Sequence, residues 1–226
     1  MQIQKISSTA KFLDATREFL ELREAENNLL LGMLERQVRD ALGDYPLMIQ
    51  VVDDMRTVFV AVVVAETLFL SAGPDAAKEV AVKAVAEEGL ELRAIAGPST
   101  PCETFVAQWQ MVTGHLCVLT VSDTLYKLTS VNNVNDAVGC MRLMTTNDVE
   151  IVARWQIGFA KEALTQDLDL DEALDKASKR VVAGETYIWE VSSKAVSMAA
   201  FARPTANGIA INSVYTPVEF RQNGDA

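Results

Sequence analysis

Two amphipathic helical patterns followed by three short strand-like runs occur twice along this chain of 226 residues. A chain that repeats such an order is built from repeated units, because each unit must bury the same kind of face. In the first occurrence Ser8 or Thr9 can cap a helix from about Lys11 to Arg23, with Leu13, Thr16 and Leu20 on one side. Leu30, Leu34, Val38 and Leu42 then recur at four-residue spacing, predicting a second helix whose stripe is core and which ends at Gly43 before Tyr45-Pro46. Strands are predicted at 47–52, 57–64 and 67–71, with Asp53-Asp54 as the first turn. The apolar, valine-rich run Val58 to Ala65 suits a strand buried on both faces.

The first half then alternates: helix over 76–87, extended chain over 90–95, helix over 101–111 and extended chain over 115–121. The polar stretch Ser130 to Asp136 is the expected boundary, giving domains 1–135 and 136–226. Tyr126 and Leu128 beside it are read as a further strand joining the halves. After the boundary the order restarts. Met141-Arg142-Leu143 reads as a strand, and Asn147 or Asp148 opens a helix with Ile151, Trp155 and Phe159 on one face. Asp169 followed by Glu172 has capping-box spacing for a second helix, with Leu170, Leu174, Ala177 and Val181 as its stripe and Gly184 as its stop. Strands follow at 186–191, 196–202 and 208–215, with turns at Ser192-Ser193 and Pro204 to Asn207. The expected class is α/β (α+β): two copies, each a mixed, mainly antiparallel sheet flanked by helices, the second incomplete.

With 20 basic against 31 acidic residues and a formal charge of −11, the chain is unsuited to broad phosphate contacts with nucleic acid or to an anionic membrane surface. Cys102, Cys117 and Cys140 lie far apart, which suggests neither a zinc site nor a disulfide framework, and Cys117 and Cys140 are read as buried thiols. The start resembles no signal peptide, and no apolar run is long enough to span a bilayer, so a cytoplasmic setting is expected.

The last six residues, Arg221-Gln222-Asn223-Gly224-Asp225-Ala226, follow a predicted strand as Arg-x-x-Gly-x-Ala. A pyrophosphate needs several backbone N–H donors converging on it, and a strand turning tightly into a helix N-terminus supplies them. Gly224 would permit close backbone approach, and Ala226 would keep the next turn uncluttered.

Two helices, a strand meander and then Val214-Tyr215-Thr216-Pro217-Val218-Glu219-Phe220-Arg221-Gln222-Asn223-Gly224-Asp225-Ala226 resemble the GNAT superfamily of acetyl-CoA-dependent N-acetyltransferases, and more narrowly its tandem members. The resemblance implies two GNAT-like copies, with acetyl-CoA as acyl donor and a small-molecule or peptide amine as acceptor. It implies that Arg221, Gln222, Asn223, Gly224, Asp225 and Ala226 hold the pyrophosphate, and that Val214, Tyr215 and Thr216 pair with the pantetheine arm. Asn223 stands where a basic residue is frequent, and Asp225 adds a negative charge to the loop. The chain stops where the following helix would begin, so weak cofactor binding and little turnover are expected of it. The equivalent stretch of the first copy, Ser71 to Ala77, lacks the glycine spacing and carries Asp75, so residues 1–135 are assigned no cofactor.

An acceptor amine must lose a proton before it attacks a thioester, and Glu185 and Glu190 are the candidate bases; surface strand charges are the alternative reading. His115, the single histidine, is read as a satisfied or solvent-facing side chain at the start of a strand, and Asp167, Asp169, Asp171 and Glu172 as a solvated helix start with no metal. Trp155, Trp189 and Phe201 are read as core aromatics before pocket lining. Beside the acetyltransferase stand two other readings: a non-catalytic binding module, and an interaction protein forming a homodimer through the open strand edge of the second sheet, with Ile209, Ile211 and Val214 exposed there.

Overall fold

A computed structural model describes residues 1–132, 138–164 and 166–221. The chain divides into two compact units, Met1–Lys127 with Thr205–Gly208, and Leu128–Pro204 with Ile209–Ala226. The architecture is mixed α/β, a five-stranded and a four-stranded sheet each flanked by helices.

The first unit opens with strand β1 (Gln2–Lys5), which no local pattern announced because none of its residues is buried. Helix α1 (Thr9–Glu21) begins after Ser8, but the Ser8 side chain makes no cap bond; the Thr9 N–H donates instead to Asp44 Oδ1 at 2.6 Å. Helix α2 spans Asn28–Arg39 and buries Leu30, Leu31 and Leu34. The expected stripe fails at its far end: Val38, in the last turn, is exposed, and so is Leu42, which lies beyond the end of the helix at Arg39.

Strands β2 (Leu47–Asp53), β3 (Arg56–Val64) and β4 (Thr67–Leu70) form an antiparallel meander, and β1 pairs with β2. The first turn lies at Asp54-Met55, one residue later than expected, since Asp53 still pairs with Arg56. Asp54-Met55 and Ala65-Glu66 both have positive φ at their two central positions, the geometry that matches the right-handed twist of hairpins. Helix α3 (Asp75–Ala86) crosses to β5 (Ala94–Ala96), which lies parallel to β4, and helix α4 (Ser99–Thr113) follows.

The sheet is buried on both faces. Ile49, Val51, Phe59, Ala61 and Val63 pack with α3 and α4 through Ala77, Ala81, Val85, Phe105 and Trp109. Met48, Val60 and Val62 pack on the other side with Phe12, Leu20, Leu31 and Leu34 of α1 and α2. This two-sided burial explains the unbroken apolar run in β3.

Three expectations for 87–131 are corrected. The strand over 90–95 shrinks to Ala94–Ala96, and neither 115–121 nor Tyr126 and Leu128 forms a strand. Leu116, Val118, Leu119 and Val121 are exposed, because among the described residues no strand lies beside them to complete a ladder. His115 is therefore not at a strand start; it stands exposed with its ring 6.4 Å from that of Trp109.

The second unit repeats the order strand, helix, helix and three strands. Strand β6 (Cys140–Leu143) leads through a 3-10 turn at Thr146–Asp148 into α5 (Val149–Ala163) and then α6 (Leu170–Ala183). Asp169 accepts the N–H groups of Asp171 and Glu172, and Gly184 closes the helix in the left-handed conformation at φ 66°. Strands β7 (Thr186–Val191), β8 (Lys194–Ala202) and β9 (Ala210–Tyr215) complete an antiparallel sheet in the order β6-β7-β8-β9. Its core is Met144, Val152, Trp155, Ala173, Ala177, Ile188 and Met198.

Trp155 is buried, while Trp189 and Phe201 are half-buried, so the aromatics do not form one core cluster. Cys117 is half-buried and Cys140 exposed, against the expectation of two buried thiols: Cys117 lies in the unpaired segment and Cys140 on an edge strand. Among the described residues no helix is long and apolar enough to cross a membrane.

Candidate functional site

The C-terminal part of the second unit brings together the candidate residues that are described. Among the described residues β9 is an edge strand, hydrogen-bonded to β8 alone. Its pairing runs in register from Ala202↔Ala210 to Ala200↔Asn212 and resumes at Met198↔Tyr215, so β9 carries one extra residue there. Ser213 makes this bulge with φ 50°, which twists the strand and redirects the residues after it. The bulge is braced from beneath. Arg180 of α6 donates from Nη2 to Ser213 Oγ at 3.0 Å and from Nη1 to Thr186 Oγ1 at 3.3 Å, and burial lowers the proton affinity of this guanidinium.

Beyond the bulge, Tyr215 lies over α5. A Cβ at Gly158 would stand 2.7 Å from Tyr215 Cζ, so a side chain there would force the ring out of this position. The Tyr215 hydroxyl donates to Glu162 Oε1 at 3.0 Å, one helical turn along from Gly158. Burial, and then this bond, raise its pKa, which keeps the phenol a donor.

Arg221 closes the arrangement. Its Nε donates to the Thr216 carbonyl at 2.8 Å, Nη2 donates to Glu162 Oε2 at 2.6 Å, and the guanidinium lies 5.6 Å from the centre of the Tyr215 ring. Arg221, and secondarily Tyr215, hold the Glu162 carboxyl below its ordinary range. Tyr215, Thr216 and Arg221 thus converge, with Thr216 buried and Val214 exposed. Gln222, Asn223, Gly224, Asp225 and Ala226 lie outside the described residues.

The two candidate bases stand at opposite ends of β7. Glu185 is exposed just before the strand, and its carbonyl accepts the Phe201 N–H. Glu190 is bound by Arg142 Nε at 2.6 Å, and the other edge of the same guanidinium donates twice to Asp148, at 2.8 Å each. Asp148 also accepts from the backbone and hydroxyl of Thr145 in a capping box, and its pKa falls to about 2, first through Arg142.

Sequence reasoning missed Gly158 and Glu162. The signal was a glycine in the middle of α5, where it costs about 1 kcal/mol against alanine and so points to a close approach. Sequence alone does not say what approaches.

The first unit holds a cavity of about 500 Å³ beside the start of α3, lined by Phe19, Arg23, Asn27, Gly73, Asp75 and Lys78 among others. Asp75 is paired with the buried Lys78 Nζ at 2.6 Å. A smaller cavity of about 380 Å³ in the second unit lies among Ile151, Arg154, Trp155, Lys194, Pro217 and Phe220, where Lys194 Nζ sits 4.6 Å from the Phe220 ring centre.

No protein-family model matches the chain, and no curated protein does. Among solved structures the chain is similar to a possible acetyltransferase from Clostridium difficile 630, with 21% identity and a TM-score of 0.36 over 39% of this chain and 63% of that one.

Proposed function

We propose that the chain is an N-acetyltransferase of GNAT type, its second unit holding the acyl donor acetyl-CoA and transferring acetyl to an amine of a small molecule or peptide. The observation that carries this reading is the bulged, open-edged strand β9 running through Thr216 to an arginine whose guanidinium is held by two of its three nitrogens. An acyl-CoA fits such a place: a phosphate oxygen can take the remaining donors of Arg221, and the outer backbone edge of Val214 to Thr216 can pair with an amide-bearing arm. When bound, acetyl-CoA supplies an acetyl group activated as a thioester. Of the two candidate bases, Glu185 takes the amine proton, because the Glu190 carboxylate is committed to Arg142. Bound there, the thioester would give its acetyl group to the amine nitrogen, with the coenzyme A thiolate as the leaving group and the amine proton passing to Glu185.

Thermal unfolding with millimolar acetyl-CoA tests the proposal: the midpoint rises for the unaltered chain and much less for Arg221→Ala. No rise at that concentration overturns it.

A second reading is favoured by the exposure of Ile209, just before β9, and of Ile211 and Val214 on this open-edged strand. In this reading a second copy pairs there and continues the sheet, with or without catalysis. Sedimentation equilibrium separates the two, since only the second requires a concentration-dependent dimer that Ile211→Lys abolishes.

A further inference from the structure

The Arg221 side chain is fully engaged on one side and open on the other. Nε and Nη2 have protein acceptors, the Thr216 carbonyl and the Glu162 carboxylate, and the side chain is still 41% exposed. Glu162 itself is held by two donors, since its second oxygen accepts from the Tyr215 hydroxyl at 3.0 Å. The ring of Tyr215 underlies the guanidinium and is seated by the absence of a side chain at Gly158. Four residues on two elements and the loop after β9 therefore restrain one cation, whereas a surface arginine ordinarily keeps its rotamer freedom.

We infer that Glu162 is the positioning residue of an anion site at Arg221: by accepting from Nη2 and from the Tyr215 hydroxyl it fixes the guanidinium so that its solvent-facing N–H groups are presented to a phosphate oxygen of the ligand. The inference rests on the reading of Arg221 as a phosphate-binding arginine. A carboxylate beside an anion site acts in two opposed ways. Its charge repels the ligand, a term that solvent weakens at this exposed place, and its hydrogen bonds pre-order the donor that the ligand uses. Two charge-assisted bonds and a seated ring outweigh a screened repulsion, so ordering wins.

The test pairs an affinity with a readout of side-chain order. In calorimetric titrations with coenzyme A, Glu162→Gln, which keeps the shape and drops the charge, and Glu162→Ala each weaken binding by about tenfold. Tyr215→Phe, which keeps the ring and drops one bond, weakens it by about threefold. Arg221→Ala and the double variant Arg221→Ala/Glu162→Ala bind equally poorly, because Glu162 acts only through Arg221. In nitrogen NMR of the ligand-free chain, the Arg221 Nε–H gives one resolved signal with slowed guanidinium rotation, lost in Glu162→Gln while the unfolding midpoint stays unchanged.

Tighter coenzyme A binding by Glu162→Gln overturns the inference, as does an unrestrained Arg221 in the unaltered chain. A restrained Arg221 whose removal leaves coenzyme A affinity unchanged overturns the phosphate reading of Arg221, and the positioning role with it. The NMR result shows which of the two has failed.

Discussion

Gly158 on α5 and Tyr215 on β9 are fitted to each other: a Cβ on the glycine would lie 2.7 Å from Tyr215 Cζ and 3.3 Å from Cε1. Gly158→Ala therefore gains about 1 kcal/mol of helix propensity and loses about 2–3 kcal/mol to overpacking. The net outcome is destabilisation, read as a lower urea midpoint. In a Tyr215→Ala background the same change becomes stabilising by about 1 kcal/mol, because only the propensity gain remains.

The Asp148 carboxyl lies near pKa 2 in the fold against an ordinary 3.8, and its side chain is only 8% exposed. A depressed folded value means the contribution is complete above about pH 4 and is lost as pH falls towards 2. It amounts to roughly 2 kcal/mol. Asp148→Asn is expected to be less stable than the unaltered chain at pH 7, with the difference vanishing by about pH 2; urea titrations across that range measure it.

Lys78 has a side chain 3% exposed and Asp75 as its ion-pair partner at 2.6 Å. Asp75→Ala leaves the ammonium buried without its counter-charge and costs about 1–3 kcal/mol, the partner being itself exposed. Lys78→Met removes the buried charge and costs less. Chemical denaturation of the two variants gives that order.

Ser213 carries both a left-handed backbone and an acceptor for Arg180. Ser213→Ala keeps the strained φ and removes the acceptor, costing about 1–3 kcal/mol. Ser213→Gly loses the same bond but relieves about 1 kcal/mol of strain, so it is the milder change. Thermal unfolding ranks them.

The elements legible in the sequence were those whose signal is local. α6 has its Asp169 cap and Gly184 stop within the helix's own sequence, and β7 occupies Thr186–Val191 as its pattern predicts. The α5 stripe was legible through Trp155, which is buried, and less so through Ile151 and Phe159, which are half-buried. β1 escaped notice because it exists only by pairing with β2. The segment 115–121 misled for the converse reason: it has strand composition and no described neighbour strand.

The candidate site divides in the same way. Arg221 and the stretch Val214 to Thr216 were marked by a short linear pattern, while Glu162 lies 59 positions from Arg221 and no spacing rule links them. By itself the sequence determined the two helices and three-strand meander that recur in each half, because helix caps, stripes and turn residues act over a few positions. Only the tertiary structure decided which strands have partners, where β9 bulges, and that Gly158, Glu162, Tyr215 and Arg221 meet. Hydrogen bonds between distant residues and the exclusion of one side chain by another depend on three-dimensional approach, which local periodicity does not encode.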